Sequence, residues 1–327
     1  MKAFVLEYGK LKEKEMDNPV AKKGEVVVSI KTAGLNRRDL YIPNRRGKAE
    51  GALILGSDGA GIIESVGEGA TKFQIGDEVI INPSLRWYDN TDAPPIEFDL
   101  LGMPDHGTFA EKIAISEEQV EKKPAHLDWN EAGVLALSAL TGYRALFTKG
   151  KITDKDTVFI PGAGSGVSTY LIQFAKNIGA RVIVTSRSEE KRERAKTLGA
   201  DIVLDTNSDW NKELANETVD LVIESVGKVT FNQSMNVLKK GGRIVTFGAT
   251  TEDNIDFNLR NFFYGQYQLF GTTMGSRKEL RDMLHHLETY KMHPVVDRIY
   301  PFEQTNEAFN YLDEGKQFGK VALRIEE

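Results

Sequence analysis

"FIPGAGSGVST", residues 159–169, decides the fold. A buried-type apolar run ends in a turn built on Gly162, Gly164 and Gly166. It continues into "SGVSTYLIQFAKNIG" (165–179), which is apolar at helical spacing. Strand, glycine turn and helix open a βα unit, and the pattern repeats. "ARVIVTS" (180–186) precedes "EEKRERAKTLG" (189–199), and "ADIVLD" (200–205) precedes a weaker helix. "VDLVIES" (219–225) precedes "KVTFNQSMNVLKKGG" (228–242), and "GRIVTFG" (242–248) follows. Near-continuous apolar strands joined by helix-period segments predict a parallel sheet covered on both faces. The fold class is α/β, a Rossmann-like doubly wound sheet over 129–271. "NEAGVLALSALTGYRALF" (130–147) predicts one helix leading into it.

Outward from this core the texture changes. Residues 1 to about 125 are β-rich, short apolar runs cut by glycine and proline, as in "EVVVSIKTAG" (25–34) and "GDEVIIN" (76–82). Residues 83–108 form a polar loop too long for an ordinary connection. Helices are expected over 276–290 and 303–314, with a last strand at "KVALRI". The 327 residues allow two domains, and 40% apolar with 28% charged residues is an ordinary globular balance. A net charge of −6 argues against a nucleic-acid partner. With no cysteine there is no disulfide, thiolate ligand or thiol nucleophile. The absence of an apolar run of membrane-spanning length and of a signal-like N-terminus predicts a cytoplasmic protein.

The glycine turn is a phosphate site in this context. Its backbone can approach a ligand closely, and the helix after it offers free N–H groups and a positive dipole end to a pyrophosphate. Ser165 and Val167 complete the loop; Val167 stands where strict G-x-G-x-x-G spacing asks for glycine. The end of the second strand meets the adenosine ribose in such folds, and NAD sites put a carboxylate there. Here that position is Ser186, followed by Arg187. A hydroxyl donates to a 2′-phosphate where a carboxylate repels it, and a guanidinium grips phosphate oxygens in pairs. Ser188 and Lys191 extend the polar group. The predicted cofactor is NADP(H).

"AGLNRRDLY" (33–41), "LGSDGAGIIESVGEGATKFQIGDEV" (55–79), "TGYRAL", the glycine loop and "KRERAKTLGAD" together resemble the medium-chain dehydrogenase/reductase superfamily, over essentially the whole chain. The resemblance implies a GroES-like catalytic domain from both chain ends, 1–128 and 272–327, and a Rossmann-like NADP(H)-binding domain between them, with a substrate cleft where they meet. It places further cofactor contacts at Thr141, Phe247, Gly248, Gly271, Met274 and Lys320. Zinc members of this superfamily hold the catalytic ion with Cys, His and Cys. By motif position these fall on Asn36, Ser57 and Leu137, and the cysteine-bearing lobe falls on the cysteine-free 83–108. Amide, hydroxyl and isobutyl groups make no zinc site, so no metal is expected. The chain is similar to the zinc-free quinone oxidoreductase-like branch, although Ser165 and Ser168 replace residues of its usual glycine loop.

Without a Lewis acid a simple ketone is a poor hydride acceptor. A quinone or an α,β-unsaturated carbonyl takes hydride at a soft carbon and spreads charge onto oxygen, where hydrogen-bond donors stabilise it. The family pattern offers Asn36, Tyr41 and Ser57 for this catalytic task. Enoyl-thioester reductases of the family carry a tyrosine where this chain has Gly47, which counts against that activity. The alternatives are an alcohol/aldehyde dehydrogenase with an atypical metal site, and a dinucleotide-binding protein without turnover. The partners expected are a small carbonyl or quinone substrate and a second copy of the chain. The homodimer would pair through the edge strand "YQLFGT" (267–272).

Overall fold

A computed structural model describes residues 1–46 and 51–325. Two compact units are present, one of Thr141–Met274, the other of Met1–Leu140 with Gly275–Glu327. The sequence pattern predicts divisions at 128/129 and 271/272.

In the Thr141–Met274 unit six strands form one parallel sheet. In chain order they are Thr157–Ile160, Arg181–Ser186, Ile202–Asp205, Val219–Glu224, Leu238–Thr246 and Gln268–Gly271. Across the sheet they run third, second, first, fourth, fifth, sixth. The order reverses between the first and fourth strands, which is where a doubly wound sheet opens a crevice at its carboxyl edge. Phe159, Ile183, Val222 and Ile244 are buried with Trp210 and Phe231, from the helices Trp210–Glu213 and Lys228–Val237. Each such side chain contributes about 1.5–3 kcal/mol by leaving water.

The other unit is β-rich. Its main sheet runs Val120–Lys122, Glu78–Ile81, Asp58–Val66, Glu25–Leu35, Lys320–Arg324, Val296–Pro301, with Lys112–Ser116 also paired to Glu25–Leu35. The long central strand has antiparallel neighbours on both sides, Gly34 facing Asp58 on one and Val321 facing Leu35 on the other. That register brings Asn36, Asp58 and Lys320, from the ends of three adjacent strands, to one edge. Gly61 makes the close pairing possible, since a Cβ there would lie 2.0 Å from the Ser29 carbonyl oxygen. Phe4, Val28, Ile30, Ile63, Phe109 and Phe309 are among the residues of the core.

Two segments differ from expectation. The single helix expected over 130–147 is broken into Trp129–Gly133 and Ala136–Tyr143, followed by a wider turn over Arg144–Lys149. Gly133 lies so close to the central strand that a Cβ would sit 2.6 Å from the Thr32 carbonyl oxygen, and the chain turns there to leave the strand. The long polar loop is ordered rather than merely long. Ser84–Leu85 pairs with Asp99–Leu100. The Arg86 guanidinium donates to Glu97 O at 2.7 Å, Asp99 Oδ2 at 2.5 Å and Asp105 Oδ2 at 3.1 Å. Among the described residues no helix is long and apolar enough to cross a membrane.

Candidate functional site

The carboxyl edge of the parallel sheet gathers the residues expected to hold a dinucleotide. Gly162 and Gly164 adopt φ of 81° and 109°, left-handed values that only glycine takes without strain. The loop is braced from both sides. Ala163 N–H donates to Thr185 O at 2.6 Å, and Gly164 N–H donates to Ser168 Oγ at 3.0 Å. Ser168, a departure from the usual loop, therefore satisfies a buried backbone donor. Ser165 caps the helix Gly166–Asn177 by accepting from Ser168 N–H. The N–H groups of Gly166 and Val167, first in that helix, have no intrahelical acceptor and suit a phosphate. Val226 packs beside Gly162, its Cγ2 3.0 Å from where a Cβ would be.

At the end of the second strand Ser186 is nearly buried, and its Oγ accepts from Ser188 N–H at 3.2 Å. Ser188 caps the helix Glu189–Leu198 by accepting from Lys191 N–H at 3.3 Å. Arg187 is exposed and makes no hydrogen bond or ion pair among the described residues. Sequence reading passed over Arg192, whose guanidinium donates to Ser186 O at 2.7 Å and Asp205 Oδ2 at 3.2 Å. The charge it adds beside Ser186 was legible only as one more basic residue of a helix.

Phe247 and Gly248 follow the fifth strand and Gly271 ends the sixth, all on the same edge. Thr272 Oγ1 is buried there without a hydrogen-bond partner among the described residues, an unspent polar group of the kind a ligand amide would use. Thr141 and Met274 lie at the two ends of the unit, Thr141 Oγ1 donating to Met274 Sδ at 3.5 Å. A carboxylate that sequence reading missed supports this edge. Glu224 is fully buried and accepts from Val226 N–H, Gly227 N–H, Thr230 Oγ1 and Ser234 Oγ. Burial raises its pKa, and these four donors pull it back.

In the β-rich unit a polar cluster sits where the three strand ends meet. Asp58 is fully buried and Lys320 is 3% exposed, their charged atoms 3.1 Å apart. Lys320 Nζ also reaches Leu35 O at 3.0 Å, Asn36 Oδ1 at 2.6 Å and Ser138 Oγ at 3.2 Å. Asp58 Oδ1 accepts from Leu137 N–H at 2.6 Å, and Oδ2 accepts from Asn36 Nδ2 at 3.0 Å. Beside it, Arg38 donates to Ser57 Oγ at 2.5 Å and Leu101 O at 2.7 Å. Asp39 is fully buried. One oxygen accepts from Asn36 N–H at 2.8 Å and the other has no partner among the described residues. Burial pushes its pKa up to about 6, against the opposing pull of Arg38 and the Asn36 N–H.

This geometry changes several assignments. The Asn36 amide donates to Asp58 and Gly34 O, and Ser57 Oγ donates to Leu101 O. The two side chains expected to stabilise an oxyanion have therefore spent their donors within the unit. Tyr41 is 37% exposed and its hydroxyl accepts from Arg37 Nε at 3.2 Å, so it stands apart from the cluster. Lys320, expected as a cofactor contact, has three N–H groups facing four acceptors of its own unit and belongs to the cluster instead. Gly47 lies outside the described residues.

A parallel sheet of this strand order with a glycine turn after its first strand defines a dinucleotide-binding domain, and the β-rich unit built from both chain ends makes the chain a two-domain dehydrogenase architecture. Residues 22–125 match the family model of the alcohol dehydrogenase GroES-like domain, and residues 166–289 that of the zinc-binding dehydrogenase. A zinc-type alcohol dehydrogenase-like protein of Schizosaccharomyces pombe is 34% identical, over 98% of this chain and 96% of its own. An acryloyl-coenzyme A reductase of Sulfurisphaera tokodaii is 30% identical over 99% of this chain and 100% of its own. The crystal structure of an NAD-dependent alcohol dehydrogenase superposes with a TM-score of 0.93 at 34% identity, covering 100% of both chains. The chain belongs to the medium-chain dehydrogenase/reductase superfamily and is an oxidoreductase of that type.

The family description names zinc, and the donor set here does not fit it. Among the described residues no three of His, Cys, Asp and Glu gather as metal ligands. Asp58, a carboxylate beside the three family ligand positions, is already paired with the Lys320 ammonium.

Proposed function

We propose that this protein is an NADP(H)-dependent, metal-free reductase that transfers hydride to a conjugated carbonyl, either a quinone or an α,β-unsaturated carbonyl. The observation that carries the coenzyme half is the end of the second strand, where Ser186 and an unpartnered Arg187 stand in place of a carboxylate. NADPH, when bound, supplies the hydride. The Gly162–Val167 loop would hold its pyrophosphate, Ser186, Arg187, Ser188 and Lys191 its 2′-phosphate, and Thr272 its carboxamide end.

The substrate half rests on the donor set. A site whose local cations are a hydrogen-bonded ammonium and a guanidinium supplies hydrogen-bond donors and no Lewis acid to a simple ketone, whereas a conjugated acceptor needs only donors for the oxygen. Arg38 is the group we assign to that oxygen. It is half-buried, and only one of its guanidinium nitrogens is engaged among the described residues. The acryloyl-coenzyme A reductase among the relatives favours the unsaturated carbonyl over the quinone, and extends the class to enoyl thioesters despite Gly47. The NAD-dependent alcohol dehydrogenase favours a second reading, alcohol oxidation with NAD. Pairing of the exposed edge strand Gln268–Gly271 with a second copy would give a homodimer.

Initial rates of NADPH and NADH oxidation with crotonyl-coenzyme A, a 2-enal and a benzoquinone, with and without chelator, test this reading. NADPH turnover that survives chelator is expected. Arg187→Ala should raise the KM for NADPH about 10- to 100-fold and leave that for NADH unchanged, the scale of a lost charged hydrogen bond. Chelator-sensitive alcohol oxidation with NAD would establish the second reading instead.

A further inference from the structure

Position 186 lacks a carboxylate, but the fold brings one beside it from another strand. Asp205 ends the third strand of the parallel sheet, and sheet register pairs it with Ser186, the last residue of the second. Its side chain is held in place, Oδ1 accepting from Asn207 N–H at 2.8 Å. Neighbouring strands lie about 4.8 Å apart, so a negative charge here acts on a 2′-phosphate at Ser186 almost as a charge at 186 would. Left alone, Asp205 would favour the coenzyme whose 2′-hydroxyl is free.

Arg192, from the helix Glu189–Leu198, covers that charge. One of its nitrogens, Nη1, donates both to Ser186 O at 2.7 Å and to Asp205 Oδ2 at 3.2 Å, so a single guanidinium bridges the ends of the two strands. On the same helix Glu190 pairs with Arg194, one turn further on. The Arg192 and Asp205 side chains are 19% and 41% exposed. An ion pair so open to solvent adds little to stability, which leaves its effect on the local charge as its consequence.

We propose that Arg192 is a specificity-determining residue: by pairing with Asp205 it cancels the charge that would turn this strand end toward NAD(H), and Arg187 then meets a 2′-phosphate with no opposing carboxylate. Coenzyme choice is on this account set by a helix residue and a third-strand residue acting on the end of the second strand, as well as by Ser186 itself. The pair acts through charge, so removing the arginine alone uncovers a repulsion, and removing both partners does not.

This inference rests on the NADP(H) reading above and deepens it. Calorimetric titration of adenosine 2′,5′-bisphosphate and of adenosine 5′-monophosphate, at one low ionic strength, isolates the subsite and needs no hydride acceptor. Wild-type protein should bind the bisphosphate more tightly. Arg192→Leu should weaken the bisphosphate about 5- to 30-fold and move the monophosphate by less than about threefold, the scale of one uncovered charge at this range. Asp205→Asn added to Arg192→Leu should bring the bisphosphate back to within about threefold of wild type. Arg192→Gln, which keeps a donor for Ser186 O and loses the charge, should weaken the bisphosphate as Arg192→Leu does, and serves in its place if that variant does not fold. Parallel weakening of both nucleotides would make Arg192 a brace for the strand end and overturn the proposal, as would a double variant no better than Arg192→Leu. Wild-type protein that binds the two nucleotides equally would instead overturn the coenzyme reading, and this inference with it.

Discussion

Asp39 is a fully buried carboxyl with one N–H donor and, among the described residues, an unpaired oxygen, and its chemistry follows from that. With its pKa pushed by burial to about 6 against an ordinary 3.8, it costs on the order of 3 kcal/mol more to ionise in the folded than in the unfolded chain. Between about pH 4 and 6 the folded chain keeps a proton that the unfolded chain releases. Its contribution to stability is therefore present at low pH and is lost as pH rises through 6. Asp39→Asn keeps a carbonyl for the Asn36 N–H and has no charge to bury. Urea unfolding should find the variant gaining on the wild type as pH rises from 4 to 7. A wild-type-to-variant difference that is flat with pH would remove the burial account. Asp58, equally buried, faces a lysine and two N–H donors, and both of its oxygens are partnered.

At the scale of elements, the glycine loop shows how one substitution is absorbed by its surroundings. Serine stands at 168 where the family's usual loop has glycine, and its hydroxyl is used: Ser168 Oγ accepts the Gly164 N–H. Ser168→Ala leaves that buried donor unpaired, at a cost of about 1–3 kcal/mol. Thermal melting should fall by several degrees, and NADPH should restore part of the loss if the loop binds it; an unchanged melting temperature would mean that water serves Gly164 equally well. The loop over 83–108 makes the same point with charge. Arg86 ties together three oxygens that lie 11 to 19 residues along the chain, giving a cysteine-free lobe an internal staple. Both its ends are exposed, so its value lies in holding the loop's shape more than in overall stability.

For the whole molecule, assembly is the open term of the proposed function. The sixth strand of the parallel sheet is an edge, and Leu259, Phe263, Tyr264 and Leu269 are exposed on or next to it. A second copy pairing antiparallel across a two-fold axis would continue the sheet and cover them. Sedimentation should give a dimer, and Leu269→Glu a monomer with unchanged circular dichroism; a wild-type monomer at micromolar concentration would discard the edge as an interface. Much of this molecule was legible beforehand. The six parallel strands, the glycine turn and Ser186 followed by Arg187 are local patterns, and hydrophobic period and glycine placement act within a few residues of where they are read. The break at Gly133 was not legible, because it answers to Thr32, about a hundred residues away. Asn36 and Ser57 could be located by motif, but whether their hydrogen-bond donors were free could not, since that depends on what lies opposite. The sequence by itself determined a dinucleotide-binding sheet, a β-rich partner unit and a site without thiolate ligands. Only the tertiary structure decided that Lys320 and Asp58 meet beside Asn36, because strand register across 284 residues of chain, and no local preference, sets that distance.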